Sequence, residues 1–432
     1  MSRGGDKGLD IKSVLKVTLK YFCRRVVSRE PEEAKTPGIL HGVLILSLLA
    51  GHLVNSEENF SLAADCPPGF LLDAGDRCRL KSLYQFYDSL RDRGLGGMQT
   101  GLPPHRDGFS PQQIDLGRLL FFDPLLSGDK NLSCANCHNP ELGFSDGMGR
   151  SVGARGQINQ RSAPTLWNTA FLETFFWDSR ASSLEEQATH SLFSAKEMGN
   201  TPRRLIASLN EVSSYRKLFQ DAFPGTDLSK TSAISVANVV SALAAFQTSL
   251  ISLNSPYDRY AHGDKAAMTS NQVDGLNIFR SFVARCSQCH TPPLFTNQQL
   301  AVIGTPEPEG LPRDVGAEET FASAKLRGAF KVPTLRNITN TAPYMHSGRF
   351  STLREAVEFY TKGRGHAVPK EEELLLHWHI SEPNLTDVEI DLLVEFMAAL
   401  NDERFMPNVP REVPSGLLRG IILDVAASSS GE

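Results

Sequence analysis

The sequence predicts an all-α fold with long loops, arranged as two similar units. Three observations carry this. Apolar residues recur at helical spacing in one segment after another, convincing period-two strands are few, and a single order (helix, cysteine cluster, loop, helices) occurs twice. The chain has 432 residues, 41% hydrophobic and 22% charged, the balance of a folded globular protein. A net charge of -5 gives no basic face of the kind nucleic acid selects.

Residues 1–60 read as a targeting segment. Pro37–Val54 is the only long apolar run, short for a membrane span of roughly 20 residues. Arg24, Arg25, Arg29 and Lys35 precede it and keep its N-terminal side in the cytoplasm. It is either a signal-peptide core or an uncleaved membrane anchor, and the basic arm before it is long for a signal peptide. Either reading exports the rest of the chain to the periplasm. Residues 61–109 form an extension in which Cys66 and Cys78 flank a Pro/Gly-bearing stretch. In an oxidising compartment these two are expected to form a disulfide, the alternative being two free thiols.

A helix is predicted over Ser82–Leu95. The first unit, 110–253, opens with a helix over Ser110–Phe122, with Ser110 as N-cap and Ile114, Leu116 and Leu119 on the apolar side. Leu125–Arg161, rich in Gly, Ser, Asn and Asp, reads as loop. Helical spacing returns at Leu184–Ser194, Pro202–Leu209 and Ser232–Leu250. The second unit, 254–405, has a helix over Gln272–Phe282, then a Gly/Pro-rich stretch over Thr291–Gly316. Its last helix is marked by a Thr386/Glu389 capping box and a stripe of Leu392, Leu393, Phe396 and Leu400. Residues 406–432 read as a tail.

The chemistry lies in two C-x-x-C-H motifs, Cys134-Ala-Asn-Cys137-His138 and Cys286-Ser-Gln-Cys289-His290. Two thiols at this spacing can form thioethers to the vinyl groups of one haem, and the adjacent histidine then reaches the iron as proximal ligand. Zinc would need further Cys or His close by, and neither motif has a second cysteine pair. Two covalently bound haem c groups are therefore expected. The other axial position of each iron decides the activity, because an occupied position passes electrons and an open one can bind peroxide.

Further residues carry a resemblance. After His138 come Arg161-Ser-Ala-Pro-Thr-Leu-Trp-Asn168, Phe176-Trp177-Asp178-Ser-Arg180, Leu184-Glu-Glu-Gln187 and Glu197-Met198-Gly199; after His290 come Lys331-Val-Pro-Thr-Leu-Arg336-Asn337, Thr341-Ala-Pro343-Tyr344-Met345-His346 and Thr352 to Tyr360. Over about residues 110–402 this resembles the bacterial diheme cytochrome c peroxidases and the related MauG enzymes. The resemblance implies two cytochrome c-like domains with haems near their interface. It implies that Trp177 relays electrons between the haems and that Gln187 and Glu197 line the peroxide pocket over the first. A carboxylate there can take a proton from one peroxide oxygen and return it to the other.

Two departures matter. Many members carry a histidine in the loop after the first motif that blocks the iron until the second haem is reduced. Here Gly143–Gln157 contains none, and Met148 is its only conceivable substitute. The first haem is therefore expected to stay five-coordinate and to need no reductive activation. At the second haem, peroxidases usually place a methionine where this chain has Tyr360, as MauG does. A phenolate stabilises higher oxidation states and lowers the potential. Met345 is a rival ligand. The resemblance also implies a calcium between the domains, held by the carbonyls of Thr341 and Pro343, with Ser162 where an Asn is usual. A serine hydroxyl is a weaker ligand, and calcium stays open.

The leading expectation is a peroxidase reducing hydrogen peroxide with electrons from a small cytochrome c or cupredoxin. The alternatives are a MauG-like oxidase acting on a partner protein or small substrate through a bis-ferryl state, and a non-catalytic electron carrier. A homodimer is implied by the resemblance alone.

Overall fold

A computed structural model describes residues 60–82, 84, 101–225, 234–362, 366–369, 372–378, 380, 383–402, 404 and 406–418. The targeting segment up to residue 59, including the apolar run 37–54, lies outside the described residues, as does nearly all of the helix expected over Ser82–Leu95. Among the described residues no helix is long and apolar enough to cross a membrane.

The fold is helical: α1 Pro111–Phe122, α2 Cys134–Cys137, α3 Leu184–Phe193, α4 Pro202–Glu211, α5 Ser213–Ala222, α6 Val236–Thr248, α7 Pro256–Ala261, α8 Ser270–Phe279, α9 Cys286–Cys289, α10 Ala317–Phe321, α11 Leu353–Thr361 and α12 Asp387–Ala398. Two antiparallel pairs of three-residue strands accompany them: β1 Phe70–Leu72 with β2 Cys78–Leu80, and β3 Leu300–Val302 with β4 Ala329–Lys331. A Cys66–Cys78 disulfide secures the first pair, as the sequence leads one to expect.

Each half is built on one helix crossing. In the first, α1 starts at Ser110, whose side chain accepts from the Gln113 amide while the Gln113 side chain returns a bond to the Ser110 N–H. Its buried face, with Leu116, Leu119 and Leu120, packs against Leu243 and Phe246 of α6. The helices cross at Gly117, where a Cβ would stand 1.8 Å from the Ala242 carbonyl oxygen. In the second half α8 packs on α12, whose Thr386/Glu389 capping box forms as predicted. There the crossing is at Gly275, where a Cβ would stand 2.0 Å from the Leu392 carbonyl oxygen. Tyr257 meets Phe295 and Phe396 edge to face in this core, and Phe279 meets Phe295 the same way.

The halves keep step beyond the crossings. Asn168 and Asn337 both adopt left-handed backbone and open short helical turns. Bridges Phe175–Ala181 and Tyr344–Phe350 follow, and then the capped helices α3 and α11. Counting along in step, Trp177 corresponds to His346, Leu184 to Leu353 and Ser191 to Tyr360.

Some boundaries move. The helix expected over Ser232–Leu250 begins at Val236, and that over Gln272–Phe282 spans Ser270–Phe279. Helix α5 was not anticipated; Tyr215, Leu218, Phe219 and Ala222 are buried on one face of it. The C-terminal tail is docked as far as it is described. Val413 joins the first core at 1% exposure, and the Ser415 hydroxyl donates to Asp123 at 2.7 Å.

Candidate functional site: one cavity with two attachment motifs

A cavity of about 960 Å³ is lined by residues of both C-x-x-C-H motifs, Cys134, Cys137 and His138 at one end of the chain order and Cys286, Cys289 and His290 at the other. Each motif sits on a single helical turn, α2 or α9, whose closing N–H comes from the histidine itself. This turn holds both sulfurs and the imidazole on one side.

The donor set fits a thioether-linked haem at each motif. All four cysteines are free. Burial pushes the thiols of Cys134, Cys137 and Cys286 up to about 12, and among the described residues no group of three or more His, Cys, Asp or Glu could hold a metal ion such as zinc. His138 faces the carbonyl of Phe144 through Nδ1 at 3.0 Å. His290 faces those of Phe295 and Pro333 through Nδ1 at 3.1 Å. Burial pulls both imidazoles below their usual range, so each is neutral with Nε2 left for a metal. Phe144 and Phe295 both sit at positive φ, +62° and +55°, which turns their carbonyls onto the histidines.

Gln187, Glu197 and Trp177 all line the cavity. Gln187 lies on α3, one turn from Ser191, and donates to its hydroxyl at 2.9 Å. Glu197 lies in the loop after α3, and its carboxyl is close enough to act electrostatically on Cys134, Cys137 and His138. Its backbone is clamped by the Ala154 N–H at 2.7 Å, an approach that Gly153 permits because a Cβ there would stand 1.9 Å from the Lys196 carbonyl oxygen. Met148 is not among the lining residues.

Tyr360, on α11, also lines the cavity. Burial, with the nearby Cys289 and Cys286, pushes its phenol above the usual range. Met345 lines the cavity too, from left-handed backbone at φ +72°. In the first half the position matching Tyr360 is Ser191, a side chain too short to span a pocket. Sequence reasoning missed Ser191, although the repeat register identifies it.

Trp177 and His346 sit where the halves meet. Their rings pack edge to face with centroids 6.5 Å apart. The bonding around them is reciprocal. Ser162 N–H donates to the His346 carbonyl at 2.8 Å, and Lys331 N–H, at the matching place in the second half, donates to the Trp177 carbonyl at 2.7 Å. The Trp177 indole N–H donates to the Ser162 carbonyl at 3.0 Å. Arg161 joins the carboxylates of Asp178 and Asp314 at 2.7 and 2.6 Å. Thr341, Pro343 and Ser162 line the cavity nearby, and the Ser162 hydroxyl donates to the Met345 carbonyl at 3.1 Å. Lys331 was quoted in the sequence only as part of a motif. It is half-buried, and desolvation lowers its ammonium to about 8.

Comparison with known proteins agrees with this geometry. Residues 111–266 match the family described as di-haem cytochrome c peroxidase. The chain is 34% identical over 308 residues to the methylamine utilization protein MauG of Methylorubrum extorquens, covering 71% of this chain and 83% of that one. It is 35% identical over 262 residues to the cytochrome c551 peroxidase of Nitrosomonas europaea, covering 59% and 75%. Among solved structures, a MauG-like protein associated with microbial copper homeostasis superposes with a TM-score of 0.65 at 29% identity, covering 73% of this chain and 98% of that one.

Proposed function

This chain belongs to the di-haem cytochrome c peroxidase family, which carries two c-type haems, and from that membership we propose that it reduces hydrogen peroxide to water with electrons from a small redox protein. One observation carries the reading. In a duplicated frame, the second half presents Tyr360 to the cavity and the first presents Ser191. The first site is open for peroxide, and the second is sealed and passes electrons.

Bound haem iron supplies the redox change that splits the O–O bond. Each peroxide takes up two electrons and two protons and leaves as two waters. Glu197 would take a proton from one peroxide oxygen and return it to the other. Gln187, its amide N–H held by Ser191, turns its carbonyl oxygen to the peroxide O–H. Trp177 passes electrons between the sites. A cytochrome c or cupredoxin is the proposed donor. Calcium would take the carbonyls of Thr341 and Pro343, with water completing its shell beside Ser162. The proposed setting is the periplasm, which the Cys66–Cys78 disulfide supports. Attachment through residues 37–54 and a homodimer belong to the same proposal, and fractionation and sedimentation test them.

Tyr360 itself favours a second reading, a MauG-like oxidase that draws electrons from an external protein or small molecule. The two are separated by turnover. Steady-state peroxide consumption with reduced cytochrome c supports the peroxidase, and its absence supports the oxidase. A ferric spectrum with no high-spin component would leave only an electron carrier.

A further inference from the structure

We propose that Glu307 is a positioning residue for electron passage: acting through His346, its carboxylate stabilises Trp177 while the indole is short of an electron. This rests on the relay reading of Trp177 given above. Trp177 gives one electron towards the first haem and takes one from the second, so it is oxidised and then reduced with no net change. Its N–H donates to the Ser162 carbonyl, which is too weak a base to take the proton. The oxidised ring therefore keeps its positive charge, and nearby anions set how readily it forms.

Three carboxylates stand close to the pair of rings. Asp178 is shared by Arg161 and Arg180, and Asp314 is held by two bonds from Arg161. Their charge is met by guanidinium. Glu307 is different. Among the described residues its partners are His346 Nε2 at 2.9 Å and the Asp314 N–H at 3.1 Å. The Lys331 ammonium, which also lines the cavity, is turned to the Thr174 carbonyl.

His346 couples the two groups rigidly. It is 3% exposed and lies flat on Phe330, with centroids 3.7 Å apart and planes at 15°. One edge of the imidazole is bonded to Glu307 and its ring meets Trp177, so the carboxylate polarises the imidazole against the indole. Burial works against the charged carboxylate, but the His346 contact outweighs it and holds Glu307 below its usual range.

The test uses the full holoprotein. Fully reduced protein is mixed rapidly with one equivalent of hydrogen peroxide, and oxidation of the second haem by the first is followed by absorbance. Glu307→Gln should slow this step about tenfold, the size expected of a partly screened unit charge. Glu307→Asp should restore most of the rate, and both variants should keep wild-type haem content and ferric spectra. Trp177→Phe should slow the step at least as much. A wild-type rate in Glu307→Gln alongside a slow Trp177→Phe would overturn the role of Glu307 and leave the relay standing. A wild-type rate in Trp177→Phe would remove the relay and this inference with it. Failure of Glu307→Asp to recover the rate would mark the effect as structural and also overturn it.

Discussion

Ser191 and Tyr360 hold the same register position in the two halves and line the same cavity, one with a hydroxymethyl group and the other with a phenol. The frame is repeated and its contents are not. On the proposed function, that difference would separate a site with room for a small substrate from a site that protein atoms close.

Filling the smaller position should abolish the distinction. Ser191→Tyr is expected to remove the high-spin component from the ferric spectrum and to bring peroxide turnover to background. Retained high-spin iron at full turnover would show that Ser191 does not face the first iron.

Replacing the acid should cost catalysis without emptying the site. Glu197→Gln is expected to lower kcat/KM for peroxide by about a hundredfold or more, the usual loss of a general acid-base group. Its haem content and spectrum should match the wild type. Stopped-flow turnover that is unchanged would return Glu197 to a merely structural place in its clamped loop.

Attachment can be dissected one motif at a time. Cys134→Ala with Cys137→Ala should leave one covalent haem per chain, held by Cys286 and Cys289, read as a pyridine haemochrome. Two covalent haems in that variant would mean attachment elsewhere.

Tyr360→Phe should alter the low-spin resonance of the second haem while leaving the high-spin resonance of the first in place. Paramagnetic resonance of the two proteins decides it. An identical spectrum excludes the phenol as a ligand and brings Met345 forward.

Stability should follow one buried ion pair. Asp258 and Arg336 are both fully buried, and Arg336 bonds both carboxylate oxygens, at 2.6 and 2.7 Å. Burial disfavours the carboxylate, yet Arg336, Tyr84 and Ser255 outweigh it and hold Asp258 below the ordinary range. A carboxylate depressed in the folded state contributes stability above the unfolded value near 4, and loses it as pH falls through the folded one. Asp258→Asn should therefore cost about 3–5 kcal/mol at neutral pH. The gap from wild type should narrow below about pH 4. Chemical denaturation at pH 7 and pH 3 measures both.

Local signals in the sequence were faithful. Ser110, Thr386 and Glu389 announce their helices because a cap is made within one turn, and the two cysteine clusters announce their chemistry because thioether spacing is fixed by the haem itself. What stayed hidden is made across distance. Glu307 lies in a Gly/Pro-rich stretch that reads as plain loop, and only the fold brings it 2.9 Å from His346. Tyr84 meets Asp258 at 2.5 Å from far away in the chain, which no periodicity reports. Gly117 lies inside a helix, where glycine costs about 1 kcal/mol against alanine, and it is the contact that sets how closely two helices approach.

The docking of Ser415 on Asp123 bears on biogenesis. The core of the first half includes Val413, so residues that follow the whole second half in sequence complete it. In a chain that receives two haems, closing of the first half thus waits on a segment that lies beyond both attachment motifs.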